Sequence, residues 1–96
     1  MSAQDGDGLD EGRVRQRVRS IVGELAPAPR AASGRELLVA DLGYDSLTVF
    51  ELLAALEAEF GVAPLPDDDV AEIETVAEAE DAVLEQLARS RAAEQA

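Results

Sequence analysis

The sequence predicts an all-α fold, a small four-helix bundle of three longer helices and one short helix, and three observations carry that prediction. Apolar residues make up 47% of the 96-residue chain, many of them alanine, and aromatics only 3%. A sheet would draw more heavily on Val, Ile, Tyr and Thr. Apolar positions recur at helical spacing in separate stretches, and all four prolines fall between those stretches. The length suits one domain that buries roughly 60 to 65% of its unfolded surface, a modest core.

Residues 1–11 lack periodicity and read as a disordered tail. A domain then spans residues 12–88, and residues 89–96 read as a frayed tail. The first helix, about residues 12–25, follows from Val14, Val18, Ile21, Val22 and Leu25, which form one apolar stripe. Arg13, Arg15, Arg17 and Arg19 lie mostly off it. They read as a solvated face open to pairing with carboxylates elsewhere, and no function is assigned to them.

"APAPRAASG", residues 26–34, stops the helix and starts a long loop. Leu37, Leu38, Val39 and Leu42 are expected to brace it, with Gly43 allowing a backbone turn unsuited to most residues. The second helix begins at Asp45 or Ser46 and runs to Phe60, closed by Gly61. Its core stripe is Val49, Leu52, Leu53, Leu56 and Phe60. Leu47, Phe50 and Ala54 project to the other face, which also carries Ser46, Glu51, Glu57 and Ala58.

Val70 and Ile73 mark a short third helix with Asp67, Asp68 and Asp69 at its dipole-favoured start. Thr75 and Glu78 form a T-x-x-E capping box before the stripe Val76, Ala79, Val83 and Leu87 of a last helix ending near Ala88.

The charge balance narrows the function. Acidic residues outnumber basic ones 21 to 8, and the net charge of -13 argues against nucleic acid or anionic membrane and toward basic protein surfaces as partners. An acidic surface kept for solubility is the plainer alternative. The chain has no cysteine and no histidine, so it lacks thiolate or imidazole metal ligands and the usual nucleophile and base. No catalytic residue and no metal site are expected. The opening "MSAQDGDGLDEG" has no apolar core of a signal peptide, and no run approaches membrane-spanning length, so the protein is expected to be cytoplasmic.

Ser46 lies at the start of the second helix, where a serine is ordinarily an N-cap. Asp45 already fills that role, and the residue three beyond Ser46 is Val49 rather than Glu or Gln. Leu47 and Phe50 beside it, turned from the core and rimmed by carboxylates, mark a contact surface. A serine at a helix N-terminus is also well placed to carry a phosphate ester. It is no hydrolase nucleophile, because no histidine is present and "GYDSL" lacks the second glycine of G-x-S-x-G.

"DLGYDSL", residues 41–47, followed by "ELLAALEAEFGV", residues 51–62, resembles the acyl carrier proteins. That resemblance implies a 4'-phosphopantetheine arm on Ser46, installed from coenzyme A by a phosphopantetheinyl transferase, with Asp45 as the flanking motif residue. The arm's terminal thiol would carry acyl groups as thioesters, making the chain a carrier rather than an enzyme. It also implies that the helix after the serine is the recognition helix, with Leu47, Phe50, Glu51, Ala54 and Glu57 as partner contacts. Ketosynthases or other acyl-processing enzymes with basic docking surfaces would be those partners, and the carrier would be a monomer.

Some positions depart from the common pattern. Thr48 stands where fatty-acid carriers often have an acidic residue, Phe50 is bulkier than the usual aliphatic, and "APLPDDD" is one residue longer. Tyr44 in "LGYDSL" is similar to discrete carriers of aromatic polyketide pathways, and the Arg-only, Ala-rich composition suits a high-GC bacterial genome. With a Met1 start and short tails, the first expectation is a discrete carrier of a bacterial polyketide or related natural-product pathway. Alternatives are a fatty-acid-synthesis carrier and a free-standing peptidyl carrier, although Gly43-Tyr44-Asp45 differs from the G-G-x-S-L usual in the latter. From another class stands an acidic interaction module in which Ser46 merely caps.

Overall fold

Helix α1 spans Glu11–Leu25 in the computed structural model, which describes residues 11–95, with side chains to residue 93. The tail expected over residues 1–11 lies outside the described residues except for Glu11, which opens α1 and pairs with Arg15 one turn on at 2.9 Å. Val14, Val18, Ile21 and Val22 are buried as their spacing predicts. Leu25 is a correction, being 40% exposed. The helix ends at this residue, and Ala26, 4% exposed, takes the inward place as the chain turns toward Pro27.

Helix α2 covers Ser46–Phe60, α3 covers Asp67–Glu72 and α4 covers Val76–Gln95. No strand occurs among the described residues, only an isolated antiparallel bridge between Leu37 and Thr75. The expected all-α bundle of three longer helices and one short one is therefore present. α1 packs against both α4 and α2, and α2 also meets α4. The core joins Val18 and Val22 of α1, Leu52, Leu53 and Leu56 of α2, and Val76, Ala79 and Val83 of α4. Val49, Phe60 and Leu87 are half-buried and pack against it, as do Val70 and Ile73 at the short helix.

The long α1–α2 connection is held by backbone hydrogen bonds, which explains how so polar a stretch stays ordered. Leu38 N–H donates to the Glu74 carbonyl at 2.9 Å, Val76 N–H to Glu36 at 3.0 Å and Ala77 N–H to Gly34 at 2.9 Å. Two of the otherwise unpaired N–H groups at the start of α4 are thus satisfied by the loop. The capping box satisfies a third, because Thr75 Oγ1 accepts from Glu78 N–H at 3.1 Å while the Glu78 carboxylate accepts from Thr75 N–H at 2.9 Å. Glu36 closes the loop on itself. Its carboxylate accepts from the N–H groups of Ser33 and Gly34 and from the Ser33 hydroxyl, which holds its pKa down at about 2. Of the four expected braces, Leu38 and Leu42 are buried, whereas Leu37 and Val39 are exposed. The turn formed by residues 37–44 puts positions four apart on one side, so 38 and 42 face inward together.

Two charged features were not expected in detail. Glu80 of α4 is fully buried, and Arg19 Nε donates to one of its oxygens at 2.7 Å while Arg15 Nη1 donates to the other at 2.9 Å. Arg17 reaches Glu59 of α2 at 3.0 Å. The arginine row off the apolar stripe of α1 thus ties that helix to α4 and α2. Buried Gln86 donates to the Ala63 carbonyl at 2.8 Å and pins the proline-rich α2–α3 loop. Among the described residues, no buried side-chain polar atom lacks a partner.

α4 also corrects the expected end near Ala88 by continuing to Gln95. Ala, Arg, Glu and Gln dominate this segment, and neither Gly nor Pro supplies a stop.

Candidate functional site around Ser46

The site is built from the loop inward. Leu42 and Tyr44 are buried, and the Tyr44 hydroxyl donates to the Val22 carbonyl at 2.6 Å. α1 ends three residues later, so this carbonyl has no helical partner and Tyr44 supplies one. Gly23 O is met in the same way by Arg30 N–H at 3.2 Å. That approach needs a glycine, because a Cβ at position 23 would lie 2.0 Å from Arg30 O. The residues leading into α2 are thereby anchored to the end of α1. Gly43, with φ +80°, makes the intervening turn.

Asp45 follows with extended backbone and is the N-cap of α2. Its Oδ1 accepts from Thr48 N–H at 2.8 Å and from the Thr48 hydroxyl at 2.7 Å. These two bonds, the backbone one first, hold its carboxyl below the usual carboxylate range. Ser46 is the first helical residue, and it is exposed. The cap is therefore made one residue upstream, leaving the Ser46 hydroxyl outside it, as the sequence indicates. At the other end Gly61, φ 65°, closes the helix with its N–H on Glu57 O at 2.8 Å.

Leu47 is 67% and Phe50 61% exposed, large apolar side chains left in water beside the serine. Glu51 and Ala54 are exposed on the same helix. Glu57 differs, being half-buried with its carboxylate accepting from Leu65 N–H at 3.4 Å. It lies at the margin of the face and helps fix the next loop. An apolar groove of about 310 Å³ lies between residues 37–40, Val49 and Ile73. Thr48 is the site residue that sequence reading noted as a departure without assigning it a role. The signal was present, since Asp and Thr three apart across a helix start form a capping pair.

Among the described residues, no three His, Cys, Asp or Glu side chains are placed to hold a metal ion, and no helix is long and apolar enough to cross a membrane.

A helical bundle that presents a serine at a helix start beside an exposed apolar face is the architecture of a carrier domain. Residues 16–83 match the family described as phosphopantetheine attachment site, and the chain belongs to this family of acyl carrier proteins. Among solved structures it is similar to a candidate acyl carrier protein from Mycobacterium tuberculosis, with 30% identity and a TM-score of 0.66 over 73% of this chain and 93% of that one. The resemblance carried by "DLGYDSL" is therefore upheld at family level. The cofactor of the domain is 4'-phosphopantetheine, carried on a serine. The residues present fit such a group, since an exposed hydroxyl at a helix N-terminus leaves room for it and favours its phosphate charge.

Proposed function

We propose that Ser46 is the attachment point and that the chain is a discrete acyl carrier, acted on by other enzymes, in a bacterial polyketide or related natural-product pathway. The observation that carries this reading is the division of labour at the start of α2: Asp45 caps the helix, and Ser46 is exposed beside Leu47 and Phe50. Once attached, the arm supplies a terminal thiol that holds acyl groups as thioesters. In its installation the Ser46 Oγ attacks the β-phosphorus of coenzyme A. An Oγ–P bond forms, the P–O bond to 3',5'-adenosine bisphosphate breaks, and the serine proton leaves to a base of the transferase. This chain has no histidine or cysteine, in keeping with chemistry supplied from outside.

Leu47, Phe50, Glu51 and Ala54 form the docking face, with Glu57 at its edge, for basic surfaces of the transferase and of a ketosynthase or other acyl-processing enzyme. The bulk of Phe50, the neutral Thr48 and the Tyr44 of "LGYDSL" favour a natural-product carrier over a fatty-acid one. The test is intact mass after incubation with coenzyme A and a broad-specificity phosphopantetheinyl transferase. Gain of one arm by the wild type and none by Ser46→Ala is expected. Absence of gain, or gain that survives the substitution, refutes the assignment.

A further inference from the structure

Thr48 makes two hydrogen bonds that end on the same atom. Its backbone N–H reaches Asp45 Oδ1 at 2.8 Å, and its hydroxyl reaches that same oxygen at 2.7 Å. The backbone bond alone would cap the helix. The hydroxyl adds a second donor to a carboxylate that is already anchored, and both of these short bonds end on Oδ1. A carboxylate with one oxygen held from two sides has its rotation about the terminal bond restricted, so the other oxygen keeps one direction.

Two further observations give that restriction a use. Asp45 is exposed and adjoins Ser46 in the chain, so its other oxygen lies within reach of an incoming enzyme. Among the described residues, Asp45 is the acidic residue that adjoins Ser46, and the first turn of α2 contains none. A cationic side chain arriving at Ser46 therefore meets this carboxylate first, and its orientation is set by the residue one turn further along.

We infer that Thr48 is a positioning residue for modification of Ser46: by fixing Asp45 Oδ1 it aims Oδ2 at a cationic group of the transferase. The inference rests on Ser46 being the modified residue. A neutral Thr48 is then no mere loss of charge at this place, because its hydroxyl organises the charge that remains. Preorganised acceptors bind an ionic partner without paying the ordering cost on docking, so the effect belongs to binding rather than to the chemical step.

Steady-state transfer from coenzyme A by the broad-specificity transferase tests this on the full chain. Thr48→Val keeps the shape and the backbone bond and loses the hydroxyl. It is expected to raise KM for the carrier roughly five-fold with kcat unchanged. Thr48→Ser should restore the wild-type KM. In the Asp45→Asn background, Thr48→Val should add nothing, because the group it orients has lost its charge. The wild type and Ser46→Ala run alongside, so a wild type that accepts no arm refutes the attachment site, not this inference. Wild-type kinetics for Thr48→Val, failure of Thr48→Ser to rescue, a fall in kcat with KM unchanged, or full additivity with Asp45→Asn would each overturn it. A helix-capping role alone would lower thermal stability and leave KM where it was.

Discussion

Tyr44 and Val22 are joined by a 2.6 Å hydrogen bond from a buried hydroxyl to a carbonyl left unpaired by the end of α1. Through it the segment that presents Ser46 is fastened to the first helix, two residues before the serine. Tyr44→Phe removes the donor and leaves the carbonyl buried and unsatisfied. The expected loss is about 1 to 2 kcal/mol, seen as a fall in Tm of roughly 4 to 8 °C per kcal/mol with helical circular dichroism retained.

The same tyrosine makes stability depend on alkaline pH in a predictable direction. Burial pushes its hydroxyl from 10.0 up to about 12, so the folded state holds the proton that the unfolded state has released. Stability from this group is full below pH 10 and is lost as pH rises from about 10 to about 12. The chain has one tyrosine, no cysteine and no lysine, so other side chains contribute little in that window. Urea midpoints measured across it should decline in the wild type and stay nearly flat in Tyr44→Phe.

Glu80 tests the ionic tie between α1 and α4. It is fully buried between Arg15 and Arg19, and each arginine gives it a bond shorter than 3.0 Å. Glu80→Ala empties a packed site and strips the interhelical contact, with an expected loss of about 2 to 4 kcal/mol in urea denaturation. Glu80→Gln keeps the shape and an acceptor oxygen and should lose less. Equal losses for the two would mean that charge, not packing, holds the helices together here.

Phe50→Glu tests the docking face. Its side chain is 61% exposed, so the fold should survive with unchanged helical circular dichroism and Tm. Affinity for an acyl-processing partner should fall about ten-fold, because an apolar contact is replaced by a charge that must be desolvated. Loss of helicity in this variant would contradict its placement outside the core, and unchanged affinity would remove it from the docking face.

Much of the bundle was legible from local rules. The α2 and α4 stripes needed only 3.6-residue periodicity, and the Thr75–Glu78 box and Gly61 terminus needed only capping chemistry. Glu80 shows where such reading stops. It falls among Val76, Ala79 and Val83 on the buried stripe, yet its charge marks it as a surface residue until Arg15 and Arg19 arrive from another helix to neutralise it. Leu25 and Val39 failed for the opposite reason. Apolar character predicts burial only while the chain continues in a regular element, and one residue ends α1 while the other lies in a turn.

By itself the sequence determined the helical class, the outward face of α2 and Ser46 as a residue that Asp45 frees from capping, since spacing and capping depend on residues within a turn or two of one another. Only the tertiary structure decided what holds that serine in place. Tyr44 on Val22, Leu38 on Glu74 and Thr48's hydroxyl on Asp45 are matters of distance and direction, and the first two join parts of the chain far apart in sequence. Such contacts carry no periodic signature, because they form only once the helices have packed.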